Sequence, residues 1–385
     1  MERLYNEDAY IREFDAEVIS CTEAGTGYEV LLDRSAFFPE GGGQPADTGT
    51  LGNARVLDVQ ERRGEVVHMT DRALLPGSTV HGAIDWDRRF ERMQEHSGEH
   101  IVSGLIHRKY GYDNVGFHMG EEIRLDLSGV LTWDELMDIE REANEIVFLD
   151  VPLHIWIPGE EELSRTDYRS KKELSGDVRL VEIPGADICA CCGTHVKRTG
   201  EIGPIKFLSM IHYKGGVRVM MHAGRRAMED YRRKTDSTRA ICDLLSAKPY
   251  ESAEAVKRFM DQSAEKDLRL SSLLKELLEF RSDAQPDGQK LLITFEEGMQ
   301  PVEIRKYCDL LLKKGKGKTC AVLSGSDGAG TYHYCIASSI ENLQSSIKKL
   351  NNTLSGRGGG SPVMVQGSFA AKRKAIEEEI RVMFS

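Results

Sequence analysis

The sequence contains no apolar run long enough to cross a bilayer, which excludes a membrane-spanning helix. It begins with MERLYNEDAYIREF, a charged stretch without the apolar core of a secretory signal. Cysteine is scarce as well, because eight among 385 residues are too few for a disulfide framework. We therefore expect a cytoplasmic protein that has reduced thiols and no membrane partner.

The sequence also has no excess of basic residues. The chain has 51 Lys and Arg residues against 62 Asp and Glu residues, and its net charge is −11. This balance excludes indiscriminate nucleic-acid binding through bulk positive charge, so RNA recognition would have to use local clusters. One such cluster is the segment KKGKGK, whose basic residues are Lys313, Lys314, Lys316 and Lys318.

Two histidines stand four residues apart in the segment 88–110. This segment is rich in helix formers, has no proline, and carries apolar residues at helical spacing. Residues i and i+4 lie on the same face of a helix, so His96 and His100 are predicted to point at one ion. In the same turn, Glu99 is a candidate for orienting a ligand or acting as a general base.

A second pair with the same spacing occurs in CACCGTH, where Cys191 and His195 are four residues apart. Three imidazoles and one thiolate suit zinc, a borderline-soft cation that proteins usually hold with four nitrogen and sulfur ligands. We therefore predict one Zn²⁺ per chain, bound by the two pairs together. Equal spacing favours Cys191, while Cys189 and Cys192 stay open as alternative ligands.

Residues 1–87 are predicted to be rich in β-strands. Short segments with β-branched residues alternate with turn signals at residues 25–27 and 62–64. This pattern predicts a small β-barrel, with a sandwich as the alternative. The region also contains SAFFPEGGGQPADTG, whose three consecutive glycines let the backbone approach a ligand closely. Because this motif has neither the P-loop ending nor the dinucleotide spacing, it does not predict a phosphate cradle.

The rest of the chain divides into three predicted parts. Residues 88–224 mix helix and strand signals and form an α/β zinc-binding domain, in which Thr132 is a helix N-cap. Residues 225–286 are helical, with an interruption at Lys248-Pro249 and leucines that suit a helical hairpin or short coiled coil. Residues 287–385 form a separate α/β module. The predicted fold class is multidomain α+β, and the helical part or the C-terminal module offers a surface for a homodimer.

The C-terminal module contains GRGGGSP near its end. A glycine turn beside an arginine is suited to binding a phosphodiester or an unstacked nucleotide. Candidate RNA-binding residues are therefore those of the KKGKGK cluster together with Arg357, Gly358, Gly359 and Gly360.

Four motifs follow one another in this chain: SAFFPEGGGQPADTG, HSGEH, CCGTHV and GRGGGSP. In this order they resemble the long form of the alanyl-tRNA editing proteins known as AlaX, freestanding relatives of the editing domain of alanyl-tRNA synthetase. The resemblance spans most of the chain. It implies that the C-terminal module is related to that of the synthetase and of DHH phosphoesterases.

The resemblance also implies roles for individual residues. His96, His100, Cys191 and His195 would be the zinc ligands, and the editing pocket would contain Ser35, Gly41, Gly42, Gly43 and Gln44. Ser35 stands where the family usually has threonine, a hydroxyl connected with the preference for serine. Cys192 stands where a small residue is more usual. The implied reaction is hydrolysis of the ester in tRNA(Ala) wrongly charged with serine or glycine, amino acids that a pocket sized for alanine rejects poorly.

Two other functions compete with this interpretation. HSGEH also matches H-x-x-E-H, the inverted-zincin peptidase signature, but such peptidases need a distant carboxylate as third ligand. The second is a non-catalytic tRNA-binding protein with a structural zinc, since four protein ligands close a tetrahedral shell.

Overall fold

The structure is a computed structural model that describes residues 1–170 and 178–384. The chain forms two compact units, Met1–Ala240 and Ile241–Ser385. Helices and sheets occur together in both, which confirms the predicted mixed α+β class. Among the described residues, none of the helices combines the length and apolar character that a membrane span requires.

The first unit contains most of the strands. They are β1 (Glu2–Arg3), β2 (Glu13–Ala24), β3 (Gly27–Leu32), β4 (Arg34–Ser35), β5 (Gly49–Leu51), β6 (Ala54–Arg62), β7 (Glu65–Thr70), β8 (Thr79–Ile84), β9 (Asn114–Met119), β10 (Ile123–Leu127), β11 (His154–Trp156), β12 (Leu180–Ile183), β13 (Asp187–Ala190), β14 (Ile205–Tyr213) and β15 (Gly216–Ala223). Its helices are α1 (Leu4–Glu7), α2 (Trp86–Tyr110), α3 (Trp133–Phe148), α4 (Glu160–Arg165), the 3-10 helix Thr199–Ile202 and α5 (Arg225–Leu245), which continues past residue 240.

A closed barrel occupies the N-terminal part, with strand order β2-β3-β7-β6-β5-β8. Side chains of β2 alternate between solvent and core, so Phe14, Ala16 and Val18 point into the barrel. Both predicted hairpin turns are confirmed, because β2 pairs with β3 and β6 with β7 across two-residue loops. In the second loop Arg63 and Gly64 have φ values of 55° and 82°, as a type I′ turn requires.

Helix α2 directly follows the last strand of the barrel and forms the core of the region after it. Its N-cap is Asp85, whose side chain accepts from the backbone of Arg88, and it ends at Gly111 in the left-handed conformation. Its apolar side chains pack in one core with the sheet of order β14-β15-β10-β9 and with α3. Helix α3 begins after Thr132 with a capping box, as the sequence predicts. This packing buries most of the α2 surface, including both histidines.

A buried ion pair ties the glycine-rich segment to α2. Arg89 is completely buried, and its Nε donates to Asp47 Oδ2 at 3.0 Å. The same carboxylate accepts from the backbone of Phe38 at 2.6 Å, and Arg89 Nη2 donates to the carbonyl of Ala36 at 2.6 Å. The segment before and after the three glycines is therefore clamped onto the helix that carries His96.

The second unit contains one sheet and several helices. The strands are β16 (Gln289–Glu296), β17 (Gly317–Ser326), β18 (Thr331–Ser338), β19 (Arg357–Gly360) and β20 (Met364–Phe369). The helices are α6 (Ser252–Asp283), α7 (Pro301–Lys313), α8 (Leu343–Thr353), α9 (Arg373–Phe384) and the 3-10 helix Pro249–Glu251, which is the interruption predicted at Lys248-Pro249. The strands form a five-stranded sheet of order β16-β17-β18-β20-β19. Apolar cores lie on both sides of this sheet, one formed with α8 and α9 and the other with α6 and α7.

The glycines of the GRGGGSP motif were predicted to form a turn, and this prediction was wrong because they lie in a strand. Residues 357–360 form the edge strand β19, which pairs with β20. A Cβ on Gly358 would lie 2.7 Å from the hydroxyl of Tyr334 and 2.3 Å from the carbonyl of Gln366. The glycine is needed for close strand approach rather than for a loop.

The buried ion pair leads to a stability prediction. We expect Arg89→Met to lower the free energy of unfolding by about 3–5 kcal/mol, because the Asp47 carboxylate would stay buried without its partner. A urea titration measures this change. The matched control is Arg55→Met, since Arg55 also pairs with a carboxylate, that of Asp71 at 2.9 Å, but its side chain is 72% exposed. The control should change stability by about 1 kcal/mol or less, and equal losses in the two variants would contradict the prediction.

Candidate metal centre

The four side chains predicted from the two i+4 pairs lie together in the structure. His96 and His100 stand one turn apart on α2, and Cys191 and His195 follow β13. One potential ligand atom from each of the four lies within 4.8 Å of those from the others. The three imidazoles are buried and Cys191 is half-buried. These residues form the candidate metal centre.

His96 and His195 face this centre with their Nε2 atoms. Cys191 Sγ lies 3.5 Å from Nε2 of His96 and 3.4 Å from Nε2 of His195. The same sulfur accepts from the backbone N–H of Gly193 at 3.3 Å. The thiol and two imidazoles thus converge on one point, which is the arrangement that a tetrahedral cation would need.

Each imidazole also has a partner for its other nitrogen. His96 Nδ1 lies 3.0 Å from Gln44 Oε1, His195 Nδ1 lies 3.1 Å from Ser97 Oγ, and His100 Nδ1 lies 3.3 Å from Asp187 Oδ2. Asp187 is held in turn by Arg169 through two bonds of 2.7 Å. Such outer contacts fix the tautomer and the orientation of a metal-binding histidine. They leave Nε2 of each ring available to an ion.

The electrostatics distinguish among the three neighbouring thiols. Burial raises the pKa of Cys189 to about 11, and burial also raises the pKa of Cys192. Burial acts on Cys191 in the same direction, but the His96 and His100 charges and two hydrogen bonds outweigh it and hold the pKa of Cys191 well below its usual value. Burial lowers the pKa of His195 to about 3, so this imidazole is neutral at pH 7. A thiolate and a neutral imidazole are the protonation states that metal ligands need. For His100, burial acts to lower the pKa, but the Cys191 charge and the contact with Asp187 outweigh it and raise the pKa well above its usual value, so an ion would have to displace a proton from this ring.

The other two thiols point elsewhere. Cys189 lies in a second buried group with His100 and Asp187, and Cys192 is exposed to solvent. The geometry therefore favours Cys191 over both alternatives that the sequence leaves open.

Glycine at position 193 makes room for His96. A Cβ there would lie 2.1 Å from Cε1 and 2.4 Å from Nδ1 of the His96 ring. On another side the ring stacks on Phe117, with centroids 5.4 Å apart. A Cβ on Gly43 would in turn lie 2.6 Å from the Phe117 ring. Two glycines from separate motifs thus let the aromatic side chains around the centre pack closely.

The segment Gly41–Gln44 is a tight turn that places the side chain of Gln44 next to the candidate metal centre. Gly41 and Gln44 exchange two backbone hydrogen bonds of 3.0 and 2.9 Å, and Gly42 and Gly43 have φ values of 63° and 89°. Gln44 Nε2 donates to Thr194 Oγ1 at 2.8 Å, while Gln44 Oε1 accepts from the backbone of Thr194 at 3.1 Å. The carboxamide therefore connects the turn to both halves of the candidate metal centre.

Ser35 and Glu99 have other neighbours. Ser35 Oγ lies 2.7 Å from Nε2 of His68 and accepts from the backbone of Phe37 at 3.1 Å. Glu99 is buried, and its Oε1 accepts from Ser103 Oγ at 2.5 Å and also from the side chain of Asn114. Neither residue is a member of the four-residue cluster.

Sequence reasoning did not find the outer partners Ser97, Thr194, Asp187 and Arg169. Ser97 and Thr194 stand inside the HSGEH and CCGTH motifs, so their position beside predicted ligands was a usable signal. Asp187 and Arg169 carry no such signal, because their bidentate pair forms only when the strand segments meet.

The predicted RNA-binding lysines are mostly paired with carboxylates. Lys313 pairs with Asp309 at 2.6 Å, Lys314 with Asp283 at 2.8 Å and also with Glu279, and Lys316 with Asp287 at 2.6 Å. Lys318 and residues 357–360 are exposed. Arg357 and Gly358 also line a cavity of about 450 Å³, together with His333, Gln366 and Ser368.

The chain is similar to tRNA synthetase domains and to alanyl-tRNA editing proteins. Residues 178–225 match the model of the threonyl and alanyl tRNA synthetase second additional domain, and residues 6–88 match that of class II (A) tRNA synthetases. The chain is 28% identical to alanyl-tRNA editing protein AlaX-L of Pyrococcus horikoshii, covering 98% of this chain and 96% of that protein. Alanyl-tRNA editing protein Aarsd1 of Mus musculus is also 28% identical, over 98% of this chain and 97% of its own. The chain is therefore similar to alanyl-tRNA editing proteins over almost its whole length.

The chain is also similar to part of much larger enzymes. Alanine–tRNA ligase of Methanopyrus kandleri is 32% identical over 95% of this chain, but the chain spans only 42% of that ligase. The similarity to the ligases therefore concerns less than half of their length.

The contacts of Gln44 lead to a prediction about metal affinity. We expect Gln44→Ala to weaken binding of Zn²⁺ or Co²⁺ by about 10–100-fold, because His96 would lose the partner that orients it. A titration against a competing chelator measures this affinity. Gln60→Ala is the matched control, since Gln60 also lies in the barrel but bonds to Glu40 and Asp58. An affinity for Gln44→Ala equal to that of the control would contradict the prediction.

Proposed function

We propose that this protein is a trans-editing hydrolase that removes serine or glycine from wrongly charged tRNA(Ala). The observation that carries the proposal is the cluster of three buried imidazoles and one half-buried thiol beside a glycine turn. It is supported by two relatives named alanyl-tRNA editing proteins, which match this chain over almost their whole lengths. Serine and glycine are the expected errors because a pocket for alanine rejects them poorly.

We propose Zn²⁺ as the resident ion, one per chain, held by His96, His100, Cys191 and His195. The donor set fits, since nitrogen and sulfur ligands in this number are typical of zinc, and the outer contacts leave each Nε2 available. Lewis-acid polarisation of an ester carbonyl is the chemistry that such an ion supplies when bound.

The surrounding residues are proposed to position the reacting groups. Gln44, Ser97 and Asp187 hold the three imidazoles, and residues 41–43 shape the adjoining pocket. Ser35 is proposed to contribute by fixing the backbone at Phe37. Glu99 is proposed to support α2 rather than to act as general base, because its carboxylate accepts from Ser103 and Asn114. The same contacts argue against the inverted-zincin function, in which this glutamate would have to activate water.

Deacylation is the direct test. Zinc-loaded protein should release serine or glycine from charged tRNA(Ala) while leaving Ala-tRNA(Ala) intact. Cys191→Ala should reduce the rate at least a hundredfold, on the order of what loss of a metal-bound catalytic group costs. Cys192→Ala is the matched control, because this neighbouring thiol is exposed and outside the cluster. If the wild-type protein deacylates neither Ser-tRNA(Ala) nor Gly-tRNA(Ala) above buffer, a binding protein with structural zinc would be the better account.

We propose that the second unit adds affinity for tRNA(Ala). The support lies in the exposed Arg357 beside the glycines of β19 and the 450 Å³ cavity, with Lys318 as a further cation. Lys313, Lys314 and Lys316 contribute less to this surface, because carboxylates already neutralise them.

Salt dependence tests this assignment. Arg357→Gln should raise KM for charged tRNA(Ala), leave kcat unchanged, and reduce the slope of log KM against log salt by about one. Lys314→Gln is the control, since its charge is already paired with Glu279 and Asp283. A slope that changes equally in both variants, or in neither, would contradict the assignment.

We also propose that the protein forms a homodimer, and that the exposed apolar side chains of α6 form its contact surface. Leu278 is buried and Leu274 packs against the core formed with α7. Leu270, Leu273 and Leu277 are exposed on α6, as are Phe259 and Phe280. Leu270, Leu273, Leu277 and Phe280 follow one another at spacings of three, four and three residues, which is typical of coiled coils, so these four are the proposed contact face.

A further inference from the structure

One cation beside the candidate metal centre is not used in the function proposed so far. Arg179 stands directly before β12, and its Nη1 donates to the carbonyls of Cys191 and Gly193 at 2.7 and 3.0 Å. These carbonyls flank Cys192, whose side chain is exposed, so the guanidinium lies where the centre meets solvent. Arg179 itself is half-buried.

Charge pairing sets Arg179 apart from many arginines in this unit. Among the residues that the structure describes, no carboxylate pairs with Arg179, and its hydrogen bonds to them use Nη1 alone. Five other buried or half-buried arginines have acidic partners: Arg89 with Asp47, Arg92 with Glu95, Arg169 with Asp187, Arg218 with Asp126 and Arg226 with Glu91. The Nε and Nη2 donors of Arg179 are therefore available to an anion.

The proposed substrate supplies an anion at a suitable place. In an aminoacylated RNA the ester is on the ribose of the terminal nucleotide, and the nearest negative charge is the phosphodiester on the 5′ side of that ribose. Arginine matches phosphate oxygens with paired N–H donors, and such charge-assisted bonds are strong in partly buried sites. Contacts of this kind position a nucleic acid without reading its sequence.

We propose that Arg179 binds the phosphodiester of the terminal nucleotide and so positions the ester at the candidate metal centre. This inference rests on the proposed editing function and adds a substrate contact to it. The two carbonyl bonds hold the guanidinium still, because they fix it to the turn that also presents Cys191. Arg179 therefore contacts both the proposed phosphodiester of the substrate and the turn that contains Cys191.

Two substrates that differ in phosphate test this contact. The first is Ser-tRNA(Ala), or Gly-tRNA(Ala) if glycine is the substrate; the second is the same amino acid esterified to adenosine, which has no phosphate. Arg179→Gln should raise KM for the charged tRNA by about 10–100-fold and leave KM for the adenosine ester unchanged. With the tRNA substrate, the slope of log KM against log salt should fall by about 0.7, the value expected for one contact to a single strand.

Controls separate binding from a role in folding. Arg3→Gln is matched, because Arg3 lies near Cys192 but pairs with Glu61 at 2.7 Å, and it should behave as wild type on both substrates. Arg179→Lys should recover part of the lost affinity for tRNA, since it restores the charge without the paired donors.

Two results would overturn the inference alone. One is an equal loss on both substrates, which would assign Arg179 only to holding the Cys191–Gly193 turn. The other is an unchanged KM for the charged tRNA in Arg179→Gln. A wild-type protein that hydrolyses neither substrate would instead remove the proposed function itself, and this inference with it.

Discussion

The site depends on the pairing of buried polar groups around Gln44. Its carboxamide contacts His96 on α2 and Thr194 in the CCGTH segment, and its backbone closes the glycine turn of the barrel. All three side chains are buried, so none can exchange a lost partner for water. A buried donor or acceptor without a partner costs about 1–3 kcal/mol. The relative positions of the turn, the helix and the CCGTH segment are therefore mutually constrained.

Local periodicity was sufficient to predict the framework of the site. The spacing of His96 and His100 needs only helical geometry, and the spacing of Cys191 and His195 needs only a compact turn. The barrel hairpins and the Thr132 cap are also properties of short segments. The outer partners were not predictable in this way. Asp187 and Arg169 meet only through tertiary packing, and nothing in their neighbourhood in sequence distinguishes them from other charged residues.

Residue type alone did not indicate which contacts a side chain makes. The carboxylate of Glu99 accepts from Ser103 and Asn114, and the hydroxyl of Ser35 lies 2.7 Å from Nε2 of His68. The same holds for charge in the KKGKGK segment. The sequence shows that the segment is basic, but it does not show that carboxylates of α6, some thirty residues earlier in the chain, pair with Lys314.

The division of the cluster between α2 and the segment after β13 has a consequence for folding. His96 lies 95 residues before Cys191, so the two halves meet only after a long loop has closed. Contacts of such large separation form slowly, because loop-closure entropy opposes them. During synthesis the histidine pair leaves the ribosome well before its partners. The cluster of His96, His100, Cys191 and His195 is thus assembled late, so its formation marks the completion of folding in the first unit.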